Sequence, residues 1–222
     1  ENDMGAGLDR RQNLWRSAQL KVASFNVEKT DFCYRVNVEY APIGESALVK
    51  MVYDIYADGT IAAREEMTDA GKLAETFMLP RFGMQMAMPG NFSTFGLGPH
   101  ENYIDRASSA LMGHYVQNVN DQYHYGYVRP QESGTKTQIK WMKVLDDNGA
   151  GFEITSDVKF SASALPFNWK EMDVRMLGNN QAHSLELKAL AHENNRSAGK
   201  TWVNFDLAQM GLACVNSWGA WP

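Results

Sequence analysis

The sequence predicts an all-β fold, a large sandwich built from antiparallel sheets. Short segments of alternating apolar and polar residues recur along the chain, Asp-Gly and Asn-Gly pairs separate two pairs of them, and helix signals are few. The 222 residues, 44% of them hydrophobic, suffice to bury a full core. Because no linker, repeat or low-complexity tract divides the chain, we interpret residues 1–222 as a single domain.

The clearest strands lie in the first half of the chain. Phe32–Tyr40 alternates with period two, as a half-buried strand does. Leu48–Tyr56 has the same period and runs towards Asp58-Gly59, after which Thr60–Met67 resumes the alternation. This pattern predicts a hairpin closed by a tight primed turn, because Asp-Gly tolerates the positive φ angles of such a turn.

A second hairpin is predicted further along the chain. Its strands are Thr135–Leu145 and Phe152–Val158, and its turn is Asp147-Asn148-Gly149. Other expected elements are strands at Met84–Met88, Val158–Ala164, Ser184–Ala191 and Trp202–Met210, and short helices at Leu14–Leu20 and Asn168–Leu177. Many short strands interrupted by Gly, Asn and Pro are typical of an antiparallel sandwich.

Charge and composition exclude several classes of protein. The net charge of −5 comes from interspersed acidic and basic residues with no basic run longer than Arg10-Arg11, so we expect no nucleic-acid partner. No segment approaches the roughly 20 apolar residues of a membrane span, so a soluble protein with no membrane partner is expected. Cys33 and Cys214 lack the spacing of a metal or redox motif and are interpreted as buried apolar residues.

Candidate site residues are densest between Phe95 and Arg106. They are Gly96, Gly98, Pro99, Glu101, Tyr103, Asp105 and Arg106. The glycines and the proline predict a turn whose backbone approaches another group closely. We favour a structural role for this segment, in which Arg106 pairs with Glu101 or Asp105, over a role in chemistry.

This segment closely resembles the G-x-G-P-x-E-N-Y-x-D-R signature in the carboxy-terminal, small-chain region of the bacterial β-galactosidases of glycoside hydrolase family 2. Further stretches resemble motifs of that region in the same order: Asn2–Gly5 with Trp15-Arg16, Tyr127–Gly134, Asp206–Gly211 and Asn216–Gly219. The chain departs from the family pattern at Glu1, where Asp is usual, and at Ala213–Asn216, which replaces a glycine-rich acidic run. We expect the complete domain to have further strands before Glu1 and after Pro222.

The resemblance implies a fold and a role. The fold is the supersandwich shared with galactose mutarotases, in which two large antiparallel sheets lie face to face. The role is that of an accessory domain of a retaining β-galactosidase, which hydrolyses terminal β-D-galactosides with two glutamates about 5 Å apart on a separate barrel domain. No segment of this chain resembles those that carry the glutamates, so catalytic residues are expected elsewhere in the parent.

The same resemblance implies a site residue, ions and partners. Trp218, in the Ser-Trp segment, would supply an aromatic platform for the galactoside. Magnesium and sodium sites of the parent would draw mainly on other domains, so no cofactor is expected in this chain alone. The expected partners are the other domains of the parent, the galactoside substrate and further copies in a homo-oligomer of the bacterial cytoplasm or periplasm.

Two other functions remain open. An autonomous aldose 1-epimerase-like enzyme would use a His/Glu pair, and its candidate histidines are His100, His114, His124, His183 and His192. A carbohydrate-binding module would use exposed tryptophans, the candidates being Trp141, Trp169, Trp202 and Trp221. His124 lies among Tyr123, Tyr125 and Tyr127, which predicts one packed face of a strand or, less readily, a carbohydrate cleft.

Overall fold

A computed structural model of the chain describes residues 20–44, 47–69, 79, 81–127, 131–168, 200–209 and 211. Within these ranges the chain forms ten strands, one short 3-10 helix at Val119–Asp121 and no α-helix. All strand pairings are antiparallel. The predicted all-β fold with two antiparallel sheets is therefore confirmed. The strands cluster into two compact units, and each unit is described by itself.

The first unit contains a four-stranded sheet with the order β1-β2-β3-β4. Its strands are β1 (Val22–Lys29), β2 (Cys33–Tyr40), β3 (Ala47–Tyr56) and β4 (Ile61–Asp69). Cross-strand partners give the sheet one apolar face, on which Phe25 lies beside Val38 and Val38 beside Met51. On the opposite face Arg35 donates to both carboxylate oxygens of Asp54, at 2.6 and 2.8 Å.

The predicted first hairpin is confirmed, but its turn is of a different type. The carbonyl of Tyr56 accepts from the N–H of Gly59 at 3.1 Å, and only Gly59 in this turn has a positive φ, +89°. The type of primed turn that Asp-Gly favours needs two residues with a positive φ. The structure instead has an ordinary turn that is followed by a left-handed glycine, and the second hairpin is closed in the same way at Gly149, with φ +78°.

The edges of this sheet differ from the sequence prediction in two ways. The second strand begins at Cys33, one residue later than predicted, and Phe32 is 82% exposed. Cys33 itself is buried, as predicted. The edge strand β1 was not predicted, and all eight of its residues are exposed. A register shift between Val22 and Ser24 interrupts the alternation that would have revealed it.

The second unit contains a six-stranded sheet with the order β5-β10-β9-β8-β6-β7. The strands are β5 (Arg81–Met88), β6 (Asn91–Gly98), β7 (Leu111–Gln117), β8 (Lys136–Leu145), β9 (Gly151–Leu165) and β10 (Thr201–Gln209). One face carries the core, which includes Phe92, Ile139, Met142, Phe160 and Val203. The predicted second hairpin is β8–β9, and the predicted strand at Val158–Ala164 is the continuation of β9 rather than a separate element.

Two of the motif glycines lie in a strand instead of the predicted turn. Gly96 and Gly98 occupy buried positions of β6, and the turn begins only at Pro99. Their close approach to other groups is real, since a Cβ at Gly96 would lie 2.5 Å from Ile139 Cδ1 and 2.8 Å from Ile139 Cα. The register of β8 is irregular on both sides of Ile139, the residue that occupies the space a Cβ at Gly96 would need.

Several predictions fall outside the described residues. They are the strand at Ser184–Ala191, both short helices apart from one terminal residue of each, Cys214 and the motifs at Asn2–Gly5, Trp15-Arg16 and Asn216–Gly219. The single-domain interpretation and the face-to-face supersandwich remain predictions. Among the described residues, no helix is both long enough and apolar enough to cross a membrane.

Candidate functional site

The loop that follows β6 is fixed by a buried asparagine. Nδ2 of Asn102 donates to the carbonyls of Leu97 and His100, at 3.2 and 3.1 Å. Its Oδ1 accepts from the backbone N–H and the hydroxyl of Thr137, at 2.9 and 2.6 Å. The backbone N–H of Asn102 donates to Thr135 at 2.8 Å. These bonds tie the loop to the start of β8 and determine where the preceding residue, a glutamate, is held.

Glu101 accepts four hydrogen bonds, two on each carboxylate oxygen. Oε1 accepts from Nη2 of Arg106 at 2.8 Å and from the hydroxyl of Tyr127 at 2.8 Å. Oε2 accepts from the hydroxyl of Ser133 at 2.7 Å and from the N–H of Gly134 at 2.8 Å. Of the two carboxylates that the sequence offered to Arg106, Glu101 forms this ion pair.

The electrostatics of the pair follow from these bonds. Burial by itself raises the pKa of the Glu101 carboxyl, but the hydrogen bonds from Gly134, Ser133 and Tyr127 and the charge of Arg106 outweigh it, so the pKa lies below its usual value. The Glu101 side chain is 17% exposed and that of Arg106 is 44% exposed. Glu101 is therefore held as a carboxylate that binds the protein's own donors.

A second ion pair lies close by and joins another motif to the same region. Nε of Arg81 lies 2.9 Å from Oδ2 of Asp206, which is 2% exposed, and Nη2 lies 3.7 Å from Oε1 of Glu132. That oxygen accepts from the hydroxyl of Thr135 at 2.8 Å and from Nε2 of Gln209 at 3.4 Å. Side-chain contacts thus link three motifs that are far apart in sequence: Gly96–Arg106, Tyr127–Gly134 and Asp206–Gly211.

A polar cavity of about 150 Å³ borders the Glu101 network. It is lined by Pro99, His100, Glu101, Gln117, Asp121, Gln122, Tyr123, His124 and Lys136. Gln122, Tyr123 and Lys136 are buried and form its inner part, whereas His100, Asp121 and His124 are exposed at its rim. The cavity therefore combines buried hydrogen-bonding groups with access to solvent.

The most unusual group in the cavity wall is the ammonium of Lys136. The residue is only 1% exposed, and Nζ donates to Oε1 of Gln122 and, at 3.4 Å, to the carbonyl of Gly134. Burial lowers the pKa of Lys136 to about 8, and the negative charge of Glu101 opposes this only in part. Lys136 is therefore a buried cation whose charge titrates within the range of ordinary buffers.

The structure separates the histidine and tyrosine candidates. His100 and His124 lie at the cavity, whereas the ring of His114 packs against Trp141, with 5.2 Å between ring centroids. Tyr123–Tyr127 is irregular, so the packed strand face predicted for it is wrong, and Tyr123 lines the cavity. Five candidate residues lie outside the described residues: His183, His192, Trp169, Trp221 and Trp218, the platform candidate.

Sequence reasoning missed the amides and the lysine of the cavity. Gln117, Gln122 and Lys136 belong to no motif, and a lysine at the start of a strand is expected at the surface. In the parts of the chain that are described, no group of three or more His, Cys, Asp or Glu side chains is placed to hold a metal ion.

Comparison with known proteins places the chain in a family. A family model described as beta galactosidase small chain matches residues 1–222. The chain is 30% identical to the beta-galactosidase of Halalkalibacterium halodurans, over 99% of this chain and 21% of that protein. It is 30% identical to the beta-galactosidase of Priestia megaterium and 28% identical to that of Lactobacillus delbrueckii subsp. bulgaricus, in each case over 99% of this chain and 20% of the relative. It thus spans about a fifth of the length of these curated relatives, and it belongs to the beta-galactosidase small-chain family.

Proposed function

We propose that this chain is the accessory region of a retaining β-galactosidase that hydrolyses terminal β-D-galactosides. In this role it completes the sugar site with an aromatic platform at Trp218 and contributes surface to a homo-oligomer. The catalytic glutamates belong to other domains of the parent. The supporting observation is the family match over residues 1–222 combined with coverage of only about a fifth of the relatives.

The platform works through the two faces of a sugar ring. A galactose ring presents C–H groups on one side and hydroxyls around its rim. A flat indole can cover the C–H face and exclude water from it, while the hydroxyls stay free to form hydrogen bonds with the rest of the site. The residues beside Trp218 in the sequence, Ser217, Gly219 and Ala220, are small, which favours an accessible ring.

Replacing Trp218 in the intact parent enzyme tests the platform. Trp218→Ala should weaken binding of galactoside or glucose by about 1–2 kcal/mol, roughly tenfold, with little change in the melting temperature. Trp218→Phe should retain part of the affinity, because a smaller ring still covers the C–H face. KM values, sugar inhibition constants and thermal melting measure these effects. Trp221→Ala is the matched control, and normal sugar affinity in Trp218→Ala would refute the assignment.

The second candidate function, an aldose 1-epimerase-like reaction, has one observation in its favour. His100 and His124 line the same cavity as Glu101. Anomerisation requires a base and an acid that can exchange protons with the sugar. Glu101 is poorly suited because four donors occupy its oxygens and its pKa lies below the usual value. We therefore retain the accessory role as the proposal.

The carbohydrate-binding-module alternative finds little support in the described tryptophans. Trp141 and Trp202 are both half-buried. The ring of Trp141 stacks on Phe95 at 6.1 Å between centroids and also contacts His114. Neither tryptophan is a fully exposed platform.

The magnesium and sodium ions implied by the resemblance are assigned, in this proposal, to other domains of the parent. The carboxylates of the three motif segments are poor metal ligands, because each of them forms an ion pair with an arginine of this chain. Glu101 pairs with Arg106, and Glu132 and Asp206 pair with Arg81. A metal at these oxygens would have to displace the arginines.

A further inference from the structure

The four-stranded sheet of the first unit has one polar and one apolar face. On the polar face Arg35 pairs with Asp54 at 2.6 Å, and Lys50 pairs with Glu39 at 2.8 Å. An antiparallel sheet of this kind normally packs its apolar face against a core and leaves its polar face in water. The apolar face is therefore the one that should be covered in the assembled protein.

The apolar face is covered only in its middle part. Val38, Val49 and Met51 are buried there. Around them lie five large apolar side chains that are 39% to 64% exposed, here called the outer apolar patch: Phe25, Val27, Tyr34, Ile55 and Ile61.

The strand register makes this patch contiguous. Tyr34 is the cross-strand partner of Ile55, and Ile55 is the partner of Ile61. Phe25 and Val27 lie two residues apart in β1, so they point to the same face. Because Val27 is the partner of Val36, it lies diagonally across from Tyr34. The five side chains thus form one apolar surface that continues the buried part of the face.

The size of the patch argues against a second copy of this chain as its occupant. With roughly 150–250 Å² for a whole aromatic side chain, the five partly exposed side chains present on the order of 400 Å². Patches of this size on a monomer are often functional. Two copies joined through this patch alone would each bury about half of the roughly 800 Å² per partner that a stable interface buries.

A tethered partner does not need so large a contact. In the curated relatives the matching region is about a fifth of one chain, so the rest of that chain is tethered to it. Tethered surfaces meet at an effective concentration in roughly the millimolar range. A small apolar patch is then sufficient to hold them together.

We propose that the outer apolar patch is the surface against which the remainder of the parent β-galactosidase packs. The matching surface is apolar and covers β1 together with the adjoining ends of β2, β3 and β4. This inference rests on the proposed function, because it requires a parent with further domains, but it does not involve Trp218.

Hydrogen–deuterium exchange of the Val22–Lys29 amides tests the proposal. It is measured by mass spectrometry on the 222-residue chain and on the intact parent enzyme. We expect exchange at least about tenfold slower in the parent, because a covered edge strand opens less often. In the parent, Phe25→Asp and Tyr34→Asp should each remove most of this protection, because both would place a charge in an apolar contact.

Asn26→Asp is the matched control, because it introduces the same charge into β1 on the opposite face, where Asn26 lies beside Asn37. It should leave the protection in the parent unchanged. In the 222-residue chain the three variants should melt at nearly the native temperature, since each replaced side chain is exposed. Sedimentation should show this chain as a monomer.

Three results would overturn the proposal. They are equal exchange of β1 in the chain and the parent, equal protection in Phe25→Asp and Asn26→Asp, and a dimer of the isolated chain that Phe25→Asp dissociates. The last would identify a second copy as the occupant. A parent that does not hydrolyse β-galactosides would refute the proposed function instead, and the sugar affinity of Trp218→Ala tests the platform independently of β1.

Discussion

Glu101 holds the loop after β6 in place together with its neighbour Asn102. Its carboxylate collects donors from the loop itself, through Arg106, and from the segment before β8, through Ser133 and Gly134. The side chain thus joins two stretches of chain about 30 residues apart. Its four bonds are charge-assisted, which makes each stronger than a neutral hydrogen bond.

This arrangement predicts that replacing Glu101 destabilises the fold more than replacing Arg106. Arg106→Ala should lower the free energy of unfolding by about 1–2 kcal/mol, because the arginine is 44% exposed and three donors still hold the carboxylate. Glu101→Ala should cost more, about 3–5 kcal/mol, because it leaves a partly buried arginine and several buried donors without an acceptor. Urea unfolding of both variants measures the difference, and equal losses would contradict it.

Lys136 should make stability depend on pH in the alkaline range. Its folded-state pKa of about 8 lies below the usual lysine pKa of 10.5, so the unfolded chain binds this proton more tightly. Stability should therefore rise as pH increases from about 8 towards 10, by roughly 2 kcal/mol. Urea unfolding of the native chain and of Lys136→Met across this range checks the effect. The variant should lack this increment, and parallel curves would show that the lysine is not responsible.

The loop ion pair was predictable from sequence, whereas the cavity was not. Arg106 and Glu101 lie five residues apart in a turn-rich segment, so their contact needs only local geometry. Lys136 is buried at a point where the register of β8 shifts, between Lys136 and Ile139. Such a shift changes which residues face the core. No local sequence pattern predicts it.

At the scale of the strand, β6 and the irregular part of β8 fit each other through Gly96. Ile139 occupies the space that a side chain at Gly96 would need, and the carbonyl of Gln138 would lie 2.9 Å from its Cβ. Gln138 itself has a positive φ of 54°, which marks the irregularity. The absence of a side chain at Gly96 therefore makes room for the irregular backbone of β8.

Gly96→Ala should be strongly destabilising for this reason. Its methyl group would meet backbone atoms of β8, which cannot rotate away, and a loss of about 1–3 kcal/mol or more is expected. Gly126→Ala is the control, because its nearest contact is the exposed side chain of His124 at 2.9 Å, which can turn aside. Thermal melting of the two variants compares them. Similar melting temperatures would mean that β8 relaxes around the methyl group.

The hairpins were the most predictable elements because turn chemistry and alternation coincide there. β3–β4 and β8–β9 each follow this rule, with a glycine at positive φ closing the turn. Prediction failed where a bulge interrupted the period, as in β1, and where glycines that suit a turn serve instead to let two strands approach, as in β6.

At the scale of the whole molecule, motifs far apart in sequence serve one structural purpose. Glu101, Glu132 and Asp206 come from three separate motifs, and each pairs with an arginine in the same unit. The resemblance to the family was recognisable from these motifs, but their function as a set of ion pairs required the fold.

The proposed accessory role predicts that the isolated chain is inactive. It should not hydrolyse a chromogenic β-galactoside, because a retaining glycosidase needs both carboxylates and loss of one member typically costs many orders of magnitude. It should also not accelerate anomerisation of α-galactose, because Glu101 is engaged. Absorbance and polarimetry on highly purified chain measure the two reactions. Hydrolysis abolished by mutating one of the chain's own residues would refute the accessory role, and anomerisation lost in His124→Ala would support the epimerase alternative.

The exposed edge strand β1 implies an uneven distribution of local stability. Among the described strands, β2 alone is hydrogen-bonded to β1, and the eight residues of β1 are all exposed. Opening such a strand costs far less free energy than opening β8, which lies between two strands and carries Ile139, Met142 and Val144 fully buried. The sheet of the first unit should therefore fray from β1 inwards, in small excursions that leave the core of the second unit closed.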